Sequence, residues 1–335
     1  MTPSPEARAL HERIVVVDAL QASDWNRERL EELRRGGVAA VHVTVAFWEN
    51  ARDALGGIAR WQGLLRRHGD LVRPGRTGED ILAAKAEGRT AVIFGFQNTS
   101  PFEDDLGLVE VFHALGVRVA QLTYNNQNLV GSGCYEAEDG GLTRFGREVV
   151  REMNRLGMVI DASHTGDRTT LDAIEASTRP IAITHANPLW FAGVVRNKSD
   201  TVLKALAESG GMLGFSAYPL HIGGSDVGLD AFCAMVARTA EAMGAERIGL
   251  GTDLCLGWPD SYLAWMRYGR WSPEEGRARD VRWPAYPAWL RSPADLPNLT
   301  AGLLARGFST DEVAGIMGGN WLRFFEAGFR PGGAA

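Results

Sequence analysis

The feature that most constrains this chain is a repeated alternation between short apolar runs and amphipathic helical stretches. Its clearest unit is Met158 to His185, MVIDASHTGDRTTLDAIEASTRPIAITH. Met158 to Ala162 and Ile181 to Thr184 are apolar enough for parallel strands covered on both faces, and a helix with Leu171 and Ile174 inward joins them. The same period marks strands at Ile14 to Val17, Val38 to Phe47, Ala91 to Phe96, Val117 to Leu122, Met212 to Ser216 and Arg247 to Gly251. Helices are expected over Asp24 to Arg35, Glu79 to Glu87, Leu108 to Leu115, Phe145 to Leu156, Ser199 to Glu208 and Phe232 to Met243. Eight strands alternating with helices, without a second composition regime, predict one (β/α)8 TIM barrel, an α/β fold spanning 1–335 as a single domain.

Two segments fall outside the repeat. Residues 254–298 carry Trp258, Trp265, Trp271, Trp283 and Trp289 with Tyr262, Tyr268 and Tyr286, interrupted by six prolines. So many aromatics after a barrel strand imply a packed flap, serving as a wall of the site, a subunit interface or a cover over the barrel's own helices. The C-terminal extension, 299–328, reads as helices, with Ser309 and Glu312 as a capping box and a break at Gly318 and Gly319.

In a barrel of this kind the carboxyl ends of the strands face the active site, so residues just past those ends are the candidates. His164 and His185 occupy equivalent points of consecutive units, which points to a shared metal or catalytic role; the alternative for either one is a core or loop histidine. Asp253, closing GLGTD, can bind metal, orient a water or take its proton, or merely cap a turn. Gln97 ends its strand, and its neutral amide oxygen makes it a weak metal ligand. Tyr124 and Asn125 open a polar run suited to a substrate amide or carboxylate, and Arg196, in RNKSD, is the candidate for holding a carboxylate in two-pronged fashion. His11, His42, His68, His113 and His221 have no partner at ligand spacing and read as structural or surface residues.

Composition narrows the function class. A formal net charge of -6 gives no electrostatic reason to expect nucleic acid or an anionic membrane as partner. Cys134, Cys233 and Cys255 are odd in number and widely spaced, so a disulfide framework is not expected and a reducing compartment fits. The opening residues have no basic start followed by an apolar stretch, and no run approaches the ~20 apolar residues of a membrane span. The expectation is a soluble, cytoplasmic protein.

From IVVVD to GGNWLRFF the chain resembles the membrane (renal) dipeptidase family of zinc metallopeptidases. The resemblance rests on GLTRFGREVVREMNRLGMVIDASH, the TH at His185, RNKSD, GLGTD and NLTAGLLARGFSTDEVAGIMGGNWLRF. It implies a (β/α)8 barrel, usually dimeric, that hydrolyses dipeptides with a two-zinc site. It further implies that His164 and His185 bind the second zinc, that Asp253 belongs to the first, and that Arg196 receives the dipeptide carboxylate. The departures fall on the chemistry. The family's Asp-x-His-x-Asp is here Asp18-Ala19-Leu20-Gln21-Ala22, Gln97 replaces the bridging glutamate, and Tyr124 replaces a substrate-contacting histidine. Leucine and alanine cannot hold zinc, so at most one weakly bound zinc or similar ion is expected, at His164 and His185 with Gln97 or Asp253. The expected function is a dipeptidase-like hydrolase of a small amide bearing a carboxylate, with Asp253 as general base. The alternatives are a lyase or isomerase step in the same pocket, or a non-catalytic binding protein.

Overall fold

The computed structural model describes residues 3–269 and 281–332. Nine parallel strands are present: β1 Val16–Gln21, β2 Val38–Ala46, β3 Val72–Pro74, β4 Thr90–Phe96, β5 Val117–Gln121, β6 Val159–Asp161, β7 Ala182–Ile183, β8 Met212–Phe215 and β9 Ile248–Leu250. Eight of them close a ring, because β2 pairs with both β1 and β4 while the rest follow in chain order back to β9 against β1. The chain is therefore a TIM barrel of the expected kind. The three-residue β3 is an addition to the expected eight, pairing only along β4 outside the ring. The helices Pro5–Arg13 and Ala51–Arg67 were also not expected from the periodicity.

One helix shows how sequence sets the strands' positions. Arg144–Leu156 begins where the Thr143 hydroxyl accepts from the Gly146 amide, and it buries Val149, Val150, Met153 and Leu156 against the sheet. It ends at Gly157 with φ +78°, a left-handed turn that β6 follows at once. A β-carbon there would also lie 2.5 Å from the Arg330 carbonyl oxygen, so glycine is required for two reasons.

The amino-terminal mouth of the barrel is plugged by the last helix, Asn320–Gly328, whose Trp321 and Phe325 are fully buried among Val17, Ile93, Val119 and Met212. Gly249 makes room for that plug, since a β-carbon there would lie 2.4 Å from Trp321 Nε1. The expected break at Gly318 is real, with φ 167° inside a π-helical turn over Gly315–Gly319, and it brings the backbone against Val15 and Val17. The expected Ser309 and Glu312 capping box is also present.

At the opposite, carboxyl mouth lies the aromatic insertion. Its helix Asp260–Tyr268 folds down so that Tyr262, Trp265 and Met266 pack with Phe47, Trp48 and Tyr124. The Trp48 indole donates to the Met266 carbonyl at 3.1 Å, and Trp258 stacks on Tyr262 at 3.7 Å. Of the three expected roles for this segment, the described part takes two: a wall and roof over the strand ends and, where Trp289 packs on Phe232 of the helix Leu229–Met243, a cover over the barrel's own helices. Trp271 lies outside the described residues. The three cysteines are free thiols, and among the described residues no helix is long and apolar enough to cross a membrane.

Candidate active site

The strand ends converge as expected. The imidazoles of His164 and His185 lie with ring centroids 5.1 Å apart and their Nε2 atoms 3.0 Å from one another. His164 lines one cavity with Gln97, Tyr124, Asn125, Arg196 and Asp253, and His185, itself fully buried, adjoins it through His164. The cavity is small, about 70 Å³, room for a few waters beneath the roof helix.

Hydrogen bonding determines what the two imidazoles present to each other. Asp161, at the end of β6, accepts from the Ser163 and Thr184 amides and from both hydroxyls, the last at 2.6 and 2.5 Å. Burial raises its pKa, and the four donors pull against that. Three of the donors reach Oδ1 and the Thr184 hydroxyl alone donates to Oδ2, so that hydroxyl's hydrogen is spent on the carboxyl. Thr184 Oγ1, 2.8 Å from His185 Nδ1, must then accept, and His185 carries its hydrogen on Nδ1. On the other ring, His164 Nδ1 donates to Asn125 Oδ1 at 2.6 Å. Both Nε2 atoms thus face each other as lone pairs, an arrangement that calls for a shared cation. Burial, helped by the Arg196 charge, holds both rings' pKa values well below the ordinary histidine value, so a proton is a poor candidate for that cation.

Asn125 was expected to touch substrate. Its backbone takes φ +63°, which asparagine tolerates, and its carboxamide oxygen is committed to His164, so it orients a histidine. Tyr124 lies with its ring centroid 4.3 Å from that of His164 and 5.2 Å from that of Phe47, and burial lifts its phenol well above the usual range. Arg196 is buried, with its guanidinium donating to the carbonyl oxygens of Ser163 and His185. It is tied to the floor at the two strand ends that carry the histidines.

The metal set assembles only in part. Among the described residues no three of His, Cys, Asp or Glu converge to hold an ion. Gln97 donates its amide hydrogen to Thr44 Oγ1 at 2.7 Å. Asp253, with φ +56°, has its carboxylate 3.7 Å from His221 Nδ1 and 3.8 Å from Cys255 Sγ. The expectation that it completes the histidines' ligand set is therefore corrected: its side chain turns to His221, on the short helix Pro219–Ile222 after β8. Burial holds His221 neutral and pushes Asp253 up to about 7, against the pull of Arg196, so the contact is not an ion pair at neutral pH.

His221 was read as structural and is instead a wall of the cavity, with Nδ1 at 2.9 Å from Ser216 Oγ. The signal was available, since it follows a barrel strand as His164 and His185 do, but it stands several residues further along. Tyr135, Tyr218, Cys255 and Arg267 also line the cavity and carried no sequence signal.

Where a first metal would need ligands, Leu20 is fully buried and Ala22 packs with Phe47, Tyr124, Cys255 and Met266. This donor set does not fit a two-metal centre. Asp18, the surviving acid of that motif, faces away from such a role: it accepts from Gln21 Nε2, the Thr252 amide and hydroxyl, and the Leu20 amide. It keys β1 to the end of β9, as Asp161 keys β6 to β7.

Comparison with known proteins agrees with this architecture. The family model for membrane dipeptidase (peptidase family M19) matches residues 6–261. Dipeptidase tcpJ of Claviceps purpurea (strain 20.1) is 27% identical over 276 residues, covering 81% of this chain but 59% of its own length. Dipeptidase aclJ of Aspergillus oryzae is 25% identical, covering 82% of this chain and 61% of its own, so the chain spans about six tenths of these curated relatives. Among solved structures, an amidohydrolase from Pseudomonas aeruginosa superimposes with a TM-score of 0.90 at 37% identity, covering 96% of this chain and 99% of that one. The probable dipeptidase PvdM from the same organism shares the fold, with a TM-score of 0.81 at 18% identity over 96% and 97% of the two chains. With the family model matched over most of its length, the chain belongs to the membrane dipeptidase family, peptidase family M19.

Proposed function

We propose that the protein is a hydrolase of small dipeptide-like amides, working with one divalent metal ion in place of the family's two. The observation that carries this reading is the pair of Nε2 atoms, 3.0 Å apart at the carboxyl mouth and close enough for one ion to touch both. When bound there, the ion supplies Lewis acidity toward a carbonyl or a water. The remaining work falls to the chain. Arg196, fixed by two strand-end carbonyls, binds the substrate's carboxylate and sets its position relative to the histidines. Asp253, whose carboxyl titrates near neutrality, takes a proton and gives it to the leaving amine. His221, held neutral, orients that carboxyl, and the roof of Tyr262, Trp265 and Met266 keeps bulk water out.

Zinc, residence in the cytoplasm and a homodimer remain part of the proposal rather than of the structure. The test is an elemental count on purified protein together with hydrolysis of a panel of dipeptides. The expected result is at most one transition metal per chain in wild type, none in a His164→Ala, His185→Ala double mutant, and hydrolysis lost with the metal. Two metals per wild-type chain, or an unchanged count in the double mutant, would overturn the assignment.

A further inference from the structure

The cavity carries more positive charge than one substrate carboxylate uses. Arg196 enters from the floor, while Arg267 enters from the roof helix Asp260–Tyr268, and both line the same cavity. Tyr135 is on the same wall, and both guanidinium charges oppose the rise that burial imposes on its phenol, Arg196 more strongly. Tyr218 also lines the cavity, and burial keeps its phenol protonated while Arg267 pulls the other way. Among the described residues no carboxylate lies within ion-pair distance of either arginine. The cavity's one described carboxyl group is Asp253, and the imidazoles of His164 and His221 are neutral.

Two arginines facing one small cavity, with Asp253 as its one described acid, are complementary to a ligand with two separate anionic groups. Arg196 is buried at the inner end and Arg267 is exposed at the outer end, so the two anions belong at opposite ends of the ligand. We propose that Arg267 is a specificity-determining residue and that the substrate is an amide bearing two carboxylates, such as a dipeptide with one acidic residue. The amide rests on the hydrolase reading above; the pair of anions rests on the two arginines alone. Arg267 holds the second carboxylate on the wall that Tyr135 and Tyr218 share.

The test compares N-acetyl-L-glutamate with N-acetyl-L-glutamine, which differ by one carboxylate, binding to the full chain by calorimetry. The dianion is expected to bind roughly ten- to a hundredfold more tightly, the range for a hydrogen-bonded charged pair. Arg267→Met should bring that ratio toward one, Arg267→Lys should restore part of it, and Arg196→Met should weaken both ligands together. Equal affinities in wild type, or a ratio unmoved by Arg267→Met in a protein that melts normally, would overturn the inference. Turnover of L-Ala-L-Glu and L-Ala-L-Gln separates the two readings. A preferred dianion with neither peptide cleaved defeats the hydrolase reading alone. Equal cleavage of both peptides with equal affinities defeats this inference alone.

Discussion

Asn125 offers the sharpest test of the facing lone pairs. Its carboxamide oxygen fixes the hydrogen on His164 Nδ1 and so leaves Nε2 free to bind a cation. Without it, the ring can turn or adopt the other tautomer, and Nε2 can spend its hydrogen on His185 across the 3.0 Å gap. Loss of such an orienting partner lowers metal affinity about 10- to 100-fold. The consequence for stability follows from linkage. With free zinc at about 100 times the dissociation constant, the ion stabilises the native protein by roughly 2.7 kcal/mol. A 10-fold weaker site leaves about 1.4 kcal/mol of that and a 100-fold weaker site about 0.4 kcal/mol. Because Asn125 has φ +63°, Asn125→Gly removes the side chain without adding backbone strain, and Asn125→Asp keeps an acceptor as control. Thermal melts across a zinc titration should show the zinc-dependent shift shrinking by half or more in Asn125→Gly and persisting in Asn125→Asp. An undiminished shift in the glycine variant would refute the hydrogen-bond assignment on which the cation site rests.

Two further predictions follow from burial. Asp253 has a carboxyl pushed up to about 7, so hydrolysis that uses its ionised form should rise with pH through that value, and Asp253→Asn should lose the rising limb. For stability the sign is opposite: the folded pKa lies above the unfolded value, so the contribution is complete below about pH 4 and is lost as pH rises through about 7. Urea unfolding at pH 5 and pH 8 should therefore differ less in Asp253→Asn than in wild type, and an equal difference would count against the assignment. Ala22→Asp, which restores one acid of the family motif, places a charge among Phe47, Tyr124, Cys255 and Met266. It should cost about 3 kcal/mol or more in urea unfolding and add no metal; an extra metal at unchanged stability would show that the first site survives.

The sequence by itself determined the barrel, because buried parallel strands and their covering helices leave apolar runs and 3.6-residue spacing that are local and readable. It also placed His164, His185 and Asp253 at one mouth, since a residue just past a parallel strand has little choice of end, and Arg196 in the loop that follows His185. The loss of first-site ligands at Leu20 and Ala22 was equally plain. What filled that space was not, because the roof comes from a segment more than 230 positions away and its packing on Phe47 and Tyr124 has no period to read. Tertiary structure alone decided where side chains on loops aim. Asn125 turns its carboxamide oxygen to His164, Asp253 its carboxylate to His221, and Arg267 reaches in from the roof helix. Strand ends are fixed by the backbone ladder, whereas the direction of a loop side chain is set by partners that only the closed barrel brings within hydrogen-bond reach.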